Sequence, residues 1–241
     1  LTIPKFQNNS KKNQNLYPCE AYILENQWFL DKSNFSENEN FFFIDSNEVS
    51  NEKIYFLSNE NEIQGNKKSL NELQKMNNFT NTFPAFRSNL RVKYNNLGFS
   101  SYQSEYPFEM TKKNGNVLSP IYPLLNIDAE SNYILFRNIF KFPLREKFQI
   151  HFINIENKSI VQTTEAFTNF SNLIFVKKEL INKEIYIFSE KFIGIPIFIS
   201  IRNNHISMEH THPPHHYILS QDQYKTVSRI KNEIKKNIFT R

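Results

Sequence analysis

From 193 to 201 the chain alternates without a break: Ile193, Ile195, Ile197, Ile199 and Ile201 are separated by Gly194, Pro196, Phe198 and Ser200. Period two is the pattern of a strand with two unlike faces, and the isoleucine side is expected to be the buried one. Asn203-Asn204 follows, and asparagine tolerates positive φ, so a two-residue type I′ turn is predicted there with a strand returning over 205–212. Such a turn fixes the pairing: Arg202 faces His205, Ile201 faces Ile206, Ile199 faces Met208, Ile197 faces His210 and Ile195 faces His212. Directly opposed residues share a face, which puts His210 and His212 on the isoleucine side and His205, Ser207, Glu209 and Thr211 on the other. Pro213-Pro214 cannot extend a ladder, so the chain should turn there and leave His215 and His216 near the hairpin's exit.

Upstream, strand-like runs recur at 133–140, 147–155, 160–167, 172–177 and 184–188, with turn residues at Glu156-Asn157-Lys158-Ser159 and Ile181-Asn182-Lys183. Together with the hairpin they predict an antiparallel seven-stranded β-sandwich of the immunoglobulin or fibronectin kind over 126–241. Within it Phe148, Ile150 and Phe152 mark one face and His151 the opposite one. Ser220 and Gln223 form a capping box, and Val227, Ile230, Ile234 and Ile238 make an apolar stripe, so an amphipathic helix should close the chain and pack back over the sheets.

The first half is predicted to be a smaller β-rich region over 17–125, preceded by a flexible basic arm over 1–16. Residues 19–30, which include the sole tryptophan, Trp28, read as a strand or hairpin arm, and 41–45 and 53–58 as two short strands. Ser69 and Glu72 make another capping box, followed by Leu70, Leu73 and Met76 at helical spacing, which predicts a short helix to about Asn77. Residues 83–126 have aromatic anchors but little clean periodicity and are expected to be a packed loop. The fold class is thus mainly β.

Composition narrows the chemistry. The 241 residues carry a net charge of +5, and two clusters, Lys5, Lys11 and Lys12 at the front and Lys225, Arg229, Lys231, Lys235, Lys236 and Arg241 at the back, together exceed it. A nucleic-acid binder would present a continuous basic face with interleaved aromatics, so this distribution counts against one. The single cysteine, Cys19, excludes an internal disulfide and a multi-cysteine zinc site, and with no leader-like run it suggests a cytoplasmic location. No run approaches the roughly 20 apolar residues of a transmembrane segment. Glycine is scarce, and neither phosphate-cradling glycine motifs nor a G-x-S-x-G elbow occurs.

Two stretches are candidate sites. Four of the six histidines, His210, His212, His215 and His216, fall within seven residues, and neutral imidazoles two apart on a strand can jointly hold zinc or iron. A hydrogen-bonded structural cluster is the plainer alternative. Tyr102, Gln103, Glu105 and Tyr106 combine aromatic faces with amide and carboxylate groups, as a polar ligand pocket does; a self-packed connector is the plainer reading there. The expectation is a non-catalytic binding or adaptor protein that uses the His-Pro corner, Glu209 and the 99–108 stretch to hold a polar small molecule, a glycan-like ligand or a protein partner. The alternative is a metal-dependent enzyme with His210, His212 and His215 or His216 as ligands and Glu209 or Glu105 as general base. Register counts against Glu209 in that role, because it faces away from His210.

Overall fold

The computed structural model describes residues 1–4, 16–59, 68–73, 88–94, 98–104, 117–189, 195–210, 229 and 231–239. The basic stretch opens in a sheet: β1 (Thr2–Pro4) pairs with β5 (Phe41–Phe43), which also pairs with β4 (Ser36–Glu37). The Leu1 ammonium donates to the Ile44 carbonyl at 2.7 Å, and 5–15 lie outside the described residues. A second sheet runs β6 (Ile54–Asn59), β2 (Leu16–Leu24), β3 (Gln27–Lys32), β7 (Lys68–Leu70). Glu25 and Asn26 join β2 to β3 with φ of 50° and 59°, the left-handed geometry of a type I′ turn. One face of this sheet buries Ala21, Trp28 and Leu30 together with Leu73 and Ile139.

The expected helix at Ser69 is a strand. Leu70 sits opposite Trp28 and Ser69 opposite Phe29, while Leu73 is buried in the same core and its amide donates to the Lys141 carbonyl at 2.7 Å. Burial against tryptophan and a ladder to β3 outweigh a capping-box propensity worth about 1 kcal/mol. The end of that helix, 74–77, lies outside the described residues.

The 83–126 stretch is also not simply a loop. It contains a hairpin of β8 (Ser88–Tyr94) and β9 (Gly98–Ser104), then β10 (Val117–Pro120). Leu90, Val92 and Tyr94 alternate with Arg91 and Lys93, a short period-two signal that the surrounding aromatic residues hide.

All seven expected C-terminal runs are strands: β11 (Ser131–Arg137), β12 (Lys147–Asn154), β13 (Ser159–Phe167), β14 (Ser171–Val176), β15 (Ile185–Ser189), β16 (Ile195–Arg202) and β17 (His205–His210). They do not make a seven-stranded unit. With β10 they divide into two antiparallel sheets of four, ordered β10-β15-β12-β13 and β14-β11-β16-β17. One core lies between the sheets and joins Ile134 and Phe136 of β11, Phe148, Ile150 and Phe152 of β12, Ile187 of β15 and Phe198 of β16.

The two cores are tied by the segment after β11. Ile139 enters the first core, and the Lys141 carbonyl accepts both the Leu73 amide and the Trp28 indole N–H, each at 2.7 Å. The turn between β13 and β14 holds that segment in place. Asn169, fully buried and at φ 51°, accepts the Phe140 amide at 2.7 Å through Oδ1. Its Nδ2 donates to the Phe142 and Leu144 carbonyls at 3.0 Å. Thr168 exchanges bonds with Glu146 and donates to the Leu144 carbonyl at 2.5 Å. Buried main-chain groups that no strand can satisfy thus find side-chain partners.

At the C-terminus, helical backbone at 231–234 continues into a π-helical turn, Lys235–Phe239. The Phe239 ring lies 4.8 Å from His151 and 5.3 Å from Phe188, on the side of its sheet opposite Phe148, Ile150 and Phe152. The expected capping box and the start of the apolar stripe lie outside the described residues. Among the described residues no helix is long and apolar enough to cross a membrane.

Asn169→Gly keeps the left-handed backbone available while deleting three hydrogen bonds to buried main chain. Urea unfolding followed by far-ultraviolet circular dichroism should show a loss of about 3 kcal/mol, the cost of leaving such groups unsatisfied.

Candidate functional site

The β16–β17 hairpin has the register that the two-residue turn dictates: Arg202 faces His205, Ile201 Ile206, Ile199 Met208 and Ile197 His210. Asn203 and Asn204 sit at φ 48° and 63°, so both central residues are left-handed as a type I′ turn requires. The burial of the two faces, however, is the reverse of the expectation. Pro196, Phe198 and Ser200 point into the core, with Phe198 wholly inaccessible, while Ile197, Ile199 and Ile201 are half-buried on the outer face.

Two forces set this choice. Phe198 fills the space between the sheets beside Phe136 and Phe152, where an aromatic ring removes more apolar area from water than isoleucine does. Ser200, its neighbour on that face, gives its hydroxyl proton to Asn132 Oδ1 at 2.6 Å and accepts the Asn126 amide at 2.9 Å. Asn132 Nδ2 in turn reaches the Asn126 carbonyl at 3.0 Å. The polar position is satisfied in the core, and the isoleucines stay outside.

His210 therefore lies on the isoleucine side, as register demands, but on a half-buried outer surface. Glu209 is exposed on the other face, opposite Phe198. Ser207 and His205 on that face are exposed too, whereas Met208 on the outer side is buried to 7% exposure. The outer side of β17 is the sheltered one, and β9 runs close to β17 without joining its ladder. Tyr102 and Gln103 belong to β9, so the structure brings the strand carrying them beside the strand carrying Glu209 and His210. Glu105, Tyr106, His212, His215 and His216 lie outside the described residues. Among the described residues no three His, Cys, Asp or Glu side chains are grouped to hold a metal ion.

His151 stands apart from this hairpin. Its Nδ1 is 2.9 Å from Thr163 Oγ1, and Phe239 covers the ring. It is a buried structural histidine on the outside of the other sheet.

A second polar cluster sits where the first-half strands meet β11 and β14. Lys53 Nζ contacts Glu20 Oε1 at 2.8 Å, and the Arg137 guanidinium donates to the Lys53 carbonyl and, at 2.6 Å, to Ser171 Oγ. Tyr55 donates its hydroxyl proton to the Glu48 carbonyl at 2.9 Å and accepts the Ser50 amide at 3.1 Å. Burial pulls the Lys53 ammonium down, but the hydrogen bond and charge of Glu20, helped by Tyr55 and Glu48, outweigh it and leave its pKa raised. Burial raises the Tyr55 phenol against the opposing Ser50 hydrogen bond and the Lys53 charge. The acid-rich composition around Glu20 and Glu48 reads in sequence as solvation only; nothing local shows that Arg137 and Ser171 complete the cluster.

Comparison with protein-family models, curated proteins and solved structures finds no match for the chain.

Asn204→Val forces a β-branched residue into a left-handed position and should cost about 1–2 kcal/mol, while Asn204→Gly, which keeps that geometry open, should cost less. Thermal melts of both variants check this. Lys53 and Tyr55 are both shifted upward, so the stability they contribute is complete below their ordinary values of 10.5 and 10.0 and fades as pH climbs through the raised ones. Unfolding free energy should fall as pH rises past that range, and Lys53→Met should make the fall shallower in urea titrations at stepped pH.

Proposed function

We propose that the chain is a non-catalytic binding or adaptor protein whose ligand surface lies where β9 runs beside β17. That proximity is the observation that carries the reading, since it brings together two polar, aromatic stretches distant in the chain. β9 carries Tyr102 and Gln103, and β17 carries His210 on its sheltered side and Glu209 on the opposite one, so the residue types at hand are an aromatic ring, an amide, and an imidazole or a carboxylate according to the face the ligand takes. Those groups suit a polar, glycan-like ligand, with Glu105 and Tyr106 following directly in sequence. A protein partner is the other class of ligand such a surface serves.

The C-terminal sheets fit an immunoglobulin-like or fibronectin-like sandwich with its end strands exchanged. Support comes from the pairing of β11 with β14 and of β12 with β13 and β15, the central pairings of that Greek key. Relative to it, β10 takes the place beside β15 that a last strand holds, and β16 the place beside β11 that a first strand holds.

Titration calorimetry of the full chain against a panel of neutral and acidic oligosaccharides tests the binding reading. At least one should bind, and Tyr102→Ala and His210→Ala should each weaken it about tenfold or more, as loss of a central contact does. The metal-dependent alternative is favoured by one observation, that register turns His210 to the sheltered side of β17. Near-stoichiometric zinc or iron by elemental mass spectrometry, lost in a His210→Ala, His212→Ala double variant and unaccompanied by oligosaccharide binding, would replace the first reading with the second.

A further inference from the structure

The edge formed by β14 differs from the other three outer edges of the paired sheets. Its residues, Ser171, Asn172, Leu173, Ile174, Phe175 and Val176, include no charge, proline or glycine, and its register with β11 runs without a bulge. At the remaining edges, β13 carries Glu165 and pairs through an irregularity, β10 ends in Pro120, and β17 carries His205, Glu209 and His210. Charge, proline and bulges are the devices that keep sheet edges from pairing with other chains, and β14 has none of them.

Main-chain direction sharpens the point. The Ser171 amide donates to the Asn51 carbonyl at 2.9 Å, so it points away from β11. Alternation along the strand then turns the N–H and C=O of Leu173 and Phe175 the same way, while Asn172, Ile174 and Val176 serve the ladder to β11. Among the described residues no hydrogen bond reaches Leu173 or Phe175 from the open side. These two residues also have the most exposed large apolar side chains of the described structure, at 61% and 53%.

We propose that β14 is a homodimerisation edge, pairing antiparallel with β14 of a second copy about a twofold axis at Ile174. In this register Leu173 of each copy is directly opposite Phe175 of the other, and the two pairs exchange their outward N–H and C=O groups. A register centred earlier would need the Ser171 amide, which Asn51 already occupies. The strand is self-complementary because it carries no charge to repel its own copy. On the outer face the rows Met208–Ile199–Tyr133–Phe175 and His210–Ile197–Leu135–Leu173 each run on into the opposite row of the second copy, giving a continuous eight-stranded sheet.

The test combines light scattering across a dilution series with residue-level amide hydrogen exchange on the full chain. The wild type should pass from monomer to a dimer and stop there. In the dimer the Leu173 and Phe175 amides should become protected, while those of Asn172 and Ile174 are protected in both states. Phe175→Pro removes one outward donor without touching the ladder to β11, and Leu173→Lys places like charges at the pairing; each should leave a folded monomer by circular dichroism. If the proline variant does not fold, the lysine variant decides. A wild type that stays monomeric to its solubility limit, a mass that grows beyond two copies, or a dimer in which the Leu173 and Phe175 amides exchange as in the monomer would overturn the proposal.

Discussion

One side chain, that of Asn169, stands between two hydrophobic cores and a loop that must serve both. The segment after β11 leaves the larger core, places Ile139 in the smaller one and offers the Lys141 carbonyl to Trp28 and Leu73. Irregular backbone in so buried a place carries donors and acceptors that water cannot reach, and each left alone would cost about 1–3 kcal/mol. Asn169 meets three of them from the turn between β13 and β14, where its own positive φ is tolerable for an asparagine. Asn172 repeats the device at the start of β14, with its side chain bonded to main chain at Phe136, Phe167 and Phe170. The abundance of asparagine in this chain is therefore structural at these positions.

How far the sequence could be read depended on whether one force dominated locally. Strands of the second half were legible because alternation and turn residues agreed, and the Asn203-Asn204 turn carried enough stereochemistry to fix a register pair by pair. The inward face of β16 was not legible, since Phe198 and Ser200 look less like a core face than a row of isoleucines. It is decided by partners, Phe136, Phe152, Asn132 and Asn126, that lie elsewhere in the chain. The false helix at Ser69 has the same cause: a local cap signal lost to contact with Trp28. At the candidate site the turn sets the side of β17 on which His210 lies, but the burial of that side is decided by residues elsewhere in the chain, and no sequence pattern announces that β9 lies beside β17.

The sheltered outer side of β17 follows from the same facts. Because Phe198 takes the interior, the outer face of that sheet is left apolar, and an apolar outer face invites a second layer. The β8–β9 hairpin, on its own separate ladder, is a close neighbour of β17. At the opposite end of the sheet the face continues to β14 with Leu173 and Phe175 still open to water.

Trp28 gives the molecule an optical voice of its own. It is the sole tryptophan, wholly inaccessible, and its indole is hydrogen-bonded to a carbonyl that belongs to the far side of the junction. Its emission therefore reports whether the first-half sheet is seated on the segment after β11, and is blind to the interior of the larger core as long as that seating lasts. Backbone circular dichroism, dominated by the many strands, sees the reverse. Where the two signals part company during unfolding, the interval between them measures how tightly the halves of this chain are coupled.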